Sequence, residues 1–332
     1  MITRTLWNGK TIPALGLGCW AIGGPFYSGE TPLGWGEVDD KQSIAAIRRA
    51  VDLGIRFFDT AQAYGTGHSE MVLGKALKTS PDVLIGTKIG VGIDPDTRQL
   101  TGNDVAPAAI ESSIDASLRR LQRDRIDIVH LHLNSLPVDE ADQAFDMLDT
   151  LKAKGKIDAY GWSTDYPDRA AAYAGRANFV SVQHAMNVFF KASALLPVIE
   201  GHSLLSINRS PLAMGLLSGK YVPGSAMNKN DIRSQTMDWL AYFKDGTVAP
   251  NYARQLDAVR SLLQTDGRTL VQGAIGWLWA RSQRTLPIPG FRTAEQVNDL
   301  AGALEKGPLP QSAMDEIERV IMREPEGEPK DR

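Results

Sequence analysis

The chain has 332 residues, 43% hydrophobic and 23% charged, with a formal net charge of −3. That composition belongs to a folded globular protein with an ample core, and its slight acidity excludes the basic balance of a nucleic-acid or membrane-surface binder. Five histidines and one cysteine leave no zinc cluster or other metal site and no intramolecular disulfide.

The opening TRTLWNGKTIP, with Asn8-Gly9 as its turn, predicts a β-hairpin. Short β-rich runs then alternate with longer amphipathic ones. Strands are predicted at Pro13–Cys19, Ile55–Thr60, Asp82–Lys88, Ile126–Leu133, Lys156–Ser163, Phe179–Met186, Ser203–Ser210 and within Arg284–Gly290. Helices are predicted at Asp40–Gly54, Ser69–Thr79 with Ser69 as N-cap, Ala106–Gln122 with Pro107 in its first turn, Asp139–Gly155, Asp168–Arg176 and Lys191–Gly201. YARQLDAVRSLLQ, TLVQGAIGWLWARS and TAEQVNDLAGAL complete the helices. Strict alternation in the α/β class implies a parallel sheet, and this many units in one chain predict a (β/α)8 TIM barrel, with a doubly wound sheet as rival. The barrel is expected to be a single domain over 1–332, with the hairpin on its floor and extended rim loops after the first and seventh strands. Residues from about 322, MREPEGEPKDR, are expected to form a flexible tail. No apolar run reaches the ~18 residues of a membrane span and the N-terminus has no signal-peptide core, so a cytoplasmic protein with no membrane partner is expected. The oligomeric state is not legible.

GLGCWA, Gly16–Ala21, matches the G-x-G-x-x-A dinucleotide fingerprint. The fingerprint requires a helix to start at once, and IGGPFYSGETPLGWG does not open one. Those glycines are expected instead to let the backbone pass close to a ligand or turn sharply.

In such a barrel, chemistry sits where strands end. The second strand ends in Asp59, with Tyr64 on its loop; the third ends in Lys88; the fourth ends in His132. Alternation puts Asp59 on a face with Phe57, Lys88 with Gly86 and His132 with His130, the last a core histidine. A tyrosine is a weak acid, and an ammonium beside it favours the phenolate. Lys88 supplies that charge, Asp59 gives a buried lysine its counter-ion, and His132 can orient a bound carbonyl oxygen. Without a nucleophilic serine or cysteine triad, the set suits protonating a carbonyl oxygen while a nicotinamide delivers a hydride to carbon. The alternative for Asp59 and Lys88 is a structural ion pair.

These residues resemble the aldo-keto reductases from about Leu6 to Leu304. GIRFFDTAQAYGTGHSEMVLGKAL looks like the family's first signature, and IDIVHLH, IDAYGWST, RSPLAMGLLSGKY and IPGFRTAEQV follow in the family's order. The resemblance implies a (β/α)8 barrel, with Asp59, Tyr64, Lys88 and His132 as the catalytic tetrad and NADPH/NADP bound extended across the rim. It implies that Gly18, Cys19 and Trp20 border the nicotinamide, with Asp59 below, and that Ser163 and Gln183 hold its carboxamide. Ser210, Leu212, Gly215, Ser218 and Lys220 would wrap the pyrophosphate, and Gly290, Arg292 and Gln296 the adenosine phosphate. Three positions depart from the pattern. Thr164 stands for the asparagine beside the carboxamide serine, and Leu300 for an asparagine that contacts adenine. Arg209 stands for the aromatic residue that stacks on the nicotinamide; it either stacks likewise or adds positive charge that favours an anionic substrate.

The substrate pocket is expected to use Trp20, Tyr64, His132 and Trp35, with Phe26, Tyr27, Trp162, Asn134 and Trp239 as further wall candidates. The predicted activity is NADPH-dependent reduction of an aldehyde or ketone, with sugar-derived and anionic carbonyls among the classes left open. The alternatives are a sugar or alcohol dehydrogenase running in reverse, or a cofactor-binding regulatory barrel of the channel-subunit kind with slow turnover.

Overall fold

The computed structural model describes residues 1–222 and 224–330. Eight parallel strands, Leu17–Gly18, Phe57–Asp59, Leu84–Ile89, Ile126–Leu131, Ile157–Ser163, Phe179–Ala185, Leu205–Arg209 and Thr285–Pro287, are hydrogen-bonded in chain order. The eighth returns to the first: Gly16 N donates to Pro287 O, Gly18 N donates to Pro289 O, and Gly18 bridges Gly290. The sheet is therefore a nearly closed (β/α)8 barrel, as the alternation predicts. The seam explains the glycines of GLGCWA. A Cβ at Gly16 would lie 2.7 Å from Phe57 Cδ1, and one at Gly18 would lie 2.8 Å from Ile288 O. They let the barrel close around Phe57.

The interior is filled by Phe57, Leu84, Ile128, Ile207 and Leu286, with Leu6 and Ile12 closing the floor. Those last two come from the predicted hairpin, Thr3–Thr5 paired with Thr11–Pro13. Helices sheathe the outside over a second apolar layer that includes Ile47, Leu73, Phe145 and Trp277. The first helix shows the local logic. Asp39 caps it by accepting from Lys41 N and Gln42 N, and its buried face is Ser43, Ala46, Ile47 and Ala50, at helical spacing.

Several elements differ from the sequence reading. The first barrel strand is only Leu17–Gly18, because Pro13 belongs to the hairpin. The second helix starts at His68, with Gly67 at its N-cap (φ 98°), so Ser69 is not the cap. The sixth helix starts at Leu196 with Pro197 in its first turn, where the missing N–H costs nothing. Val91–Asp94 and Gln99–Asn103 form an unforeseen hairpin that joins Tyr27–Ser28 and Thr31–Pro32 of the first rim loop in a four-stranded sheet. A tenth helix, Gln311–Val320, buries Ala313, Met314 and Ile317.

Residues 323–330 of the expected tail are held rather than loose, and 331–332 lie outside the described residues. Glu326 accepts from Lys191 N and Ser193 N, each at 2.7 Å. Arg323 Nε donates to Val188 O at 2.8 Å, Tyr166 OH to Pro329 O at 2.7 Å, and Asn134 Nδ2 to Lys330 O at 2.8 Å. Residues 323–330 thus strap the loops that follow the fourth, fifth and sixth strands. No described helix is long and apolar enough to cross a membrane.

Candidate active site

Asp59, Lys88 and His132 stand at or just past the ends of adjacent strands, and the loop after Asp59 folds back to bring Tyr64 among them. Gly65 makes that fold possible: its φ is +60°, and a Cβ there would overlap Gly23 O at 1.8 Å. Lys88 Nζ donates to Asp59 Oδ2 at 2.6 Å, to Thr60 O at 2.7 Å and to Tyr64 OH at 3.2 Å. An ammonium has three protons, and here each has an acceptor. Gln183 Nε2 donates to Asp59 Oδ1 at 2.7 Å, so both carboxylate oxygens are engaged. The His132 ring stands edge-on to Tyr64 with centroids 5.9 Å apart, and its Nδ1 is buried without a partner. Trp20 stacks on the other side of Tyr64, at 5.9 Å and 16°.

The electrostatics follow from burial. Burial pulls the Lys88 ammonium down, but the Asp59 carboxylate and Tyr64 beside it reverse this and the net direction is up. The lysine is therefore charged. Burial pushes the Asp59 carboxyl up against the pull of Lys88. Burial also raises the Tyr64 phenol; Lys88 pulls it back only in part, so the net direction is up. The sequence reading expects Lys88 to lower the Tyr64 pKa; Lys88 does pull in that direction, but burial outweighs it, and Tyr64 is a protonated phenol across neutral pH. Burial, then Lys88 and Arg209, hold the His132 imidazole well below its usual range, so it is neutral. His130 is fully buried, bonds Ser181 Oγ at 2.8 Å, and is pulled down by burial to about 3.

A polar layer behind the tetrad went unread in the sequence. Thr60 Oγ1 donates to Ser69 Oγ at 2.8 Å, and Ser69 Oγ donates to Cys19 O at 3.0 Å. Glu70, wholly buried, accepts from Thr87 Oγ1 at 2.5 Å and Arg120 Nε at 2.6 Å. These bonds tie the Tyr64 loop to the strand that carries Lys88. His68 is a latch: its Nδ1 bonds Gly23 O at 2.9 Å and its Nε2 lies 3.0 Å from Asp40 Oδ1.

The residues named for a cofactor fall into two groups. Gly18, Cys19 and Trp20 lie at the seam above Asp59, though Gly18 is shaped by Ile288 and Cys19 is fully buried. Ser163 and Gln183 are register partners on adjacent strands. The hydroxyl of Thr164 is spent on Asn134 O at 2.6 Å. Arg209 is ion-paired with Asp165 at 2.5 Å. The loop from Ser210 through Leu212 to Lys220 has positive φ at Ser210, Ala213, Met214, Gly215 and Gly219. Such left-handed turns make concave backbone cradles that suit anions. Ser218 Oγ braces it by donating to Gly215 O at 2.7 Å. Gly290 lies beside the seam, Arg292 reaches the first rim loop by donating to Trp35 O, and Gln296 makes a capping box with Thr293. A second unforeseen clasp lies close by: Arg233 is held by Asp231 at 2.6 Å, with its guanidinium 4.6 Å from the ring centres of both Trp35 and Tyr221.

Among the wall candidates, Trp20 and Trp35 meet edge to face at 5.4 Å, and Trp20 in turn stacks on Tyr64. Trp162 does not join them. It is fully buried, donates to Leu133 O at 2.8 Å, and packs 5.4 Å from Phe145 and 5.5 Å from Tyr173. Phe26 is also core. Two surface clefts, beside Met1 and Arg49 and on the floor between Lys10 and Asp127, contain none of these residues.

The profile of the Aldo/keto reductase family matches residues 14–322. The chain is 30% identical over 312 residues to the NADH-specific methylglyoxal reductase of Escherichia coli, covering 89% of this chain and 90% of that one. It is 29% identical over 293 residues to the aldo-keto reductase YhdN of Bacillus subtilis, covering 86% and 83%. The glycerol dehydrogenase AKR11B4 of Gluconobacter oxydans superposes with a TM-score of 0.81 over 98% of both chains, at 26% identity. The chain belongs to the aldo/keto reductase family, oxidoreductases that act on small carbonyl compounds with a nicotinamide cofactor.

Proposed function

We propose that this protein reduces an aldehyde or ketone with NADPH, with Tyr64 as the proton donor. The observation that carries the reading is the engagement of Lys88. Because its third proton goes to Tyr64 OH, the phenol oxygen is an acceptor toward Lys88 and its own proton is left to donate outward. Asp59 keeps Lys88 charged, and Gln183 fixes Asp59. Neutral His132 donates to the carbonyl oxygen and orients it beside the Tyr64 hydroxyl. When bound, the nicotinamide supplies the hydride to the carbonyl carbon. As charge builds on oxygen, Tyr64 gives up its proton, and Lys88 stabilises the resulting phenolate. The paired indoles of Trp20 and Trp35 suit a small or sugar-derived substrate.

Ser163 and Gln183 would hold the carboxamide, and the cradle at 210–220 the pyrophosphate. Arg292 and Gln296, with Gly290 giving backbone access, would hold the 2′-phosphate side; a guanidinium suits that group, which favours NADPH. The Escherichia coli relative is NADH-specific, so Arg292 is what this preference rests on. The resemblance to a glycerol dehydrogenase supports a second reading, the same residues running toward oxidation.

The test follows absorbance at the reduced-nicotinamide band with NADPH and methylglyoxal, glyceraldehyde and benzaldehyde, and in reverse with NADP and glycerol. Aldehyde-dependent NADPH loss is expected to exceed the reverse rate. No turnover in either direction, alongside tight NADPH binding, would replace the enzyme reading with that of a cofactor-binding barrel.

A further inference from the structure

The guanidinium of Arg209 at the end of the seventh strand already has a partner. Its Nη2 lies 2.5 Å from Asp165 Oδ2, with the two side chains 16% and 6% exposed. Asp165 is fixed in turn: its Oδ1 accepts from Ala185 N at 2.9 Å, and its own N–H donates to Asn134 Oδ1 at 2.8 Å. Ala185 and Arg209 are register partners on adjacent strands, so the pair bridges the ends of the fifth, sixth and seventh strands at the rim. Leu205 and Ile207 of the same strand face the barrel interior, so alternation points Arg209 into the barrel mouth above them, where its charge also reaches Tyr64 and His132.

A guanidinium in such a place is the natural receptor for a substrate carboxylate or phosphate. Here a carboxylate built into the fold faces it first. Asp165 already offsets the charge of that guanidinium through Nη2, so an anionic substrate gains little from the remaining N–H groups and is repelled by the Asp165 carboxylate beside them, only 6% exposed. Discrimination of this kind works by opposing the wrong ligand as much as by welcoming the right one.

We propose that Asp165 is a specificity-determining residue: by closing on Arg209 it reserves the site for uncharged aldehydes and ketones and turns away carbonyls that carry a carboxylate or phosphate. This rests on the reductase reading above and narrows its substrate class.

The test compares benzaldehyde with 4-carboxybenzaldehyde, which share a ring and differ in charge, using the full chain with saturating NADPH. Wild type should favour benzaldehyde in kcat/KM. Asp165→Asn keeps an oxygen for Ala185 N while removing the charge, and should move the ratio of the two kcat/KM values at least about tenfold toward the anion, mainly through KM. Adding Arg209→Gln should cancel that shift. An unmoved ratio, or a wild type that prefers the carboxylated aldehyde, overturns the proposal. A second arm needs no variant and no turnover: binding of benzoate and of benzyl alcohol to the NADPH complex, followed by tryptophan fluorescence. Benzoate binding no tighter than the alcohol supports the proposal; tenfold tighter benzoate overturns it. If wild type turns over neither aldehyde, the reductase reading has failed, and the binding arm alone decides whether the site excludes anions.

Discussion

Lys88 and Arg292 are both rim cations, and the fold treats them differently. Lys88 is wholly buried and its three protons go to Asp59, Thr60 O and Tyr64, all within one strand end and its loop. Arg292 is half-buried and reaches across to a backbone carbonyl of the first rim loop. A buried charge must find its partners inside the fold, whereas a half-exposed one can exchange a carbonyl for a ligand. On the proposed mechanism, the side around the second to fourth strands would be prearranged for proton transfer, and the Arg292 segment after the eighth strand would be free to change partners when a cofactor binds.

The sharpest way to break this contrast is Tyr64→Phe. It removes only a hydroxyl from the Lys88 side, and reductase kcat should fall by about 10³-fold, while the NADPH dissociation constant from fluorescence titration stays within about twofold. Full activity would end the assignment of roles. Lys88→Met comes next. It strands the Asp59 carboxylate in the interior, and urea unfolding should register about 3–5 kcal/mol of lost stability; a neutral result would mean that the pair is not sealed from water.

The buried histidines also carry a pH signature. Burial holds His130 at about 3 and His184 at about 4, both below the usual 6.5 of an imidazole. Their folded values lie below the unfolded one, so the unfolded chain takes up protons first as the pH drops. Stability is full above about 6.5 and declines on acidification toward 4, by about 1 kcal/mol per histidine at pH 5.5. Urea midpoints between pH 7 and 5.5 measure this, and a flat profile would mean that these rings take up protons as readily in the fold as in the unfolded chain. The smallest change is expected on the open side. Arg292→Ala should weaken NADPH about tenfold and NADH little, and equal losses would reject contact with the 2′-phosphate.

The same contrast marks what the sequence made legible. Asp59, Lys88 and His132 could be read because strand alternation fixes a face and strand ends fix a height. Thr60 O, Asp165 and the bond from Gln183 to Asp59 could not, since each acts through a partner from a distant segment or through backbone; Gln183 itself was read only as a carboxamide contact. Trp162 was legible and misread: it neighbours Ser163 on one strand, so the two point to opposite faces, and the indole lies outside among Phe145 and Tyr173. The glycines of GLGCWA were rightly denied a dinucleotide turn, but their cause, Phe57 and Ile288 pressing on the seam, needs the closed barrel to be seen. Hairpin 91–103 escaped because its first strand, VGID, is only four residues long and its second, QLTGN, is polar or glycine except for Leu100.

Glu70 lies in the first turn of the helix His68–Leu77 that follows the Tyr64 loop, yet answers to Arg120, with Thr87 as the third member. A carboxylate sealed at that depth is tolerable only while position 120 brings a cation. The two positions therefore form a single unit of inheritance. In lineages of this barrel an uncharged residue at 70 should accompany an uncharged residue at 120, and a chimera that exchanges the segment holding one without the segment holding the other should misfold even when both parents are sound.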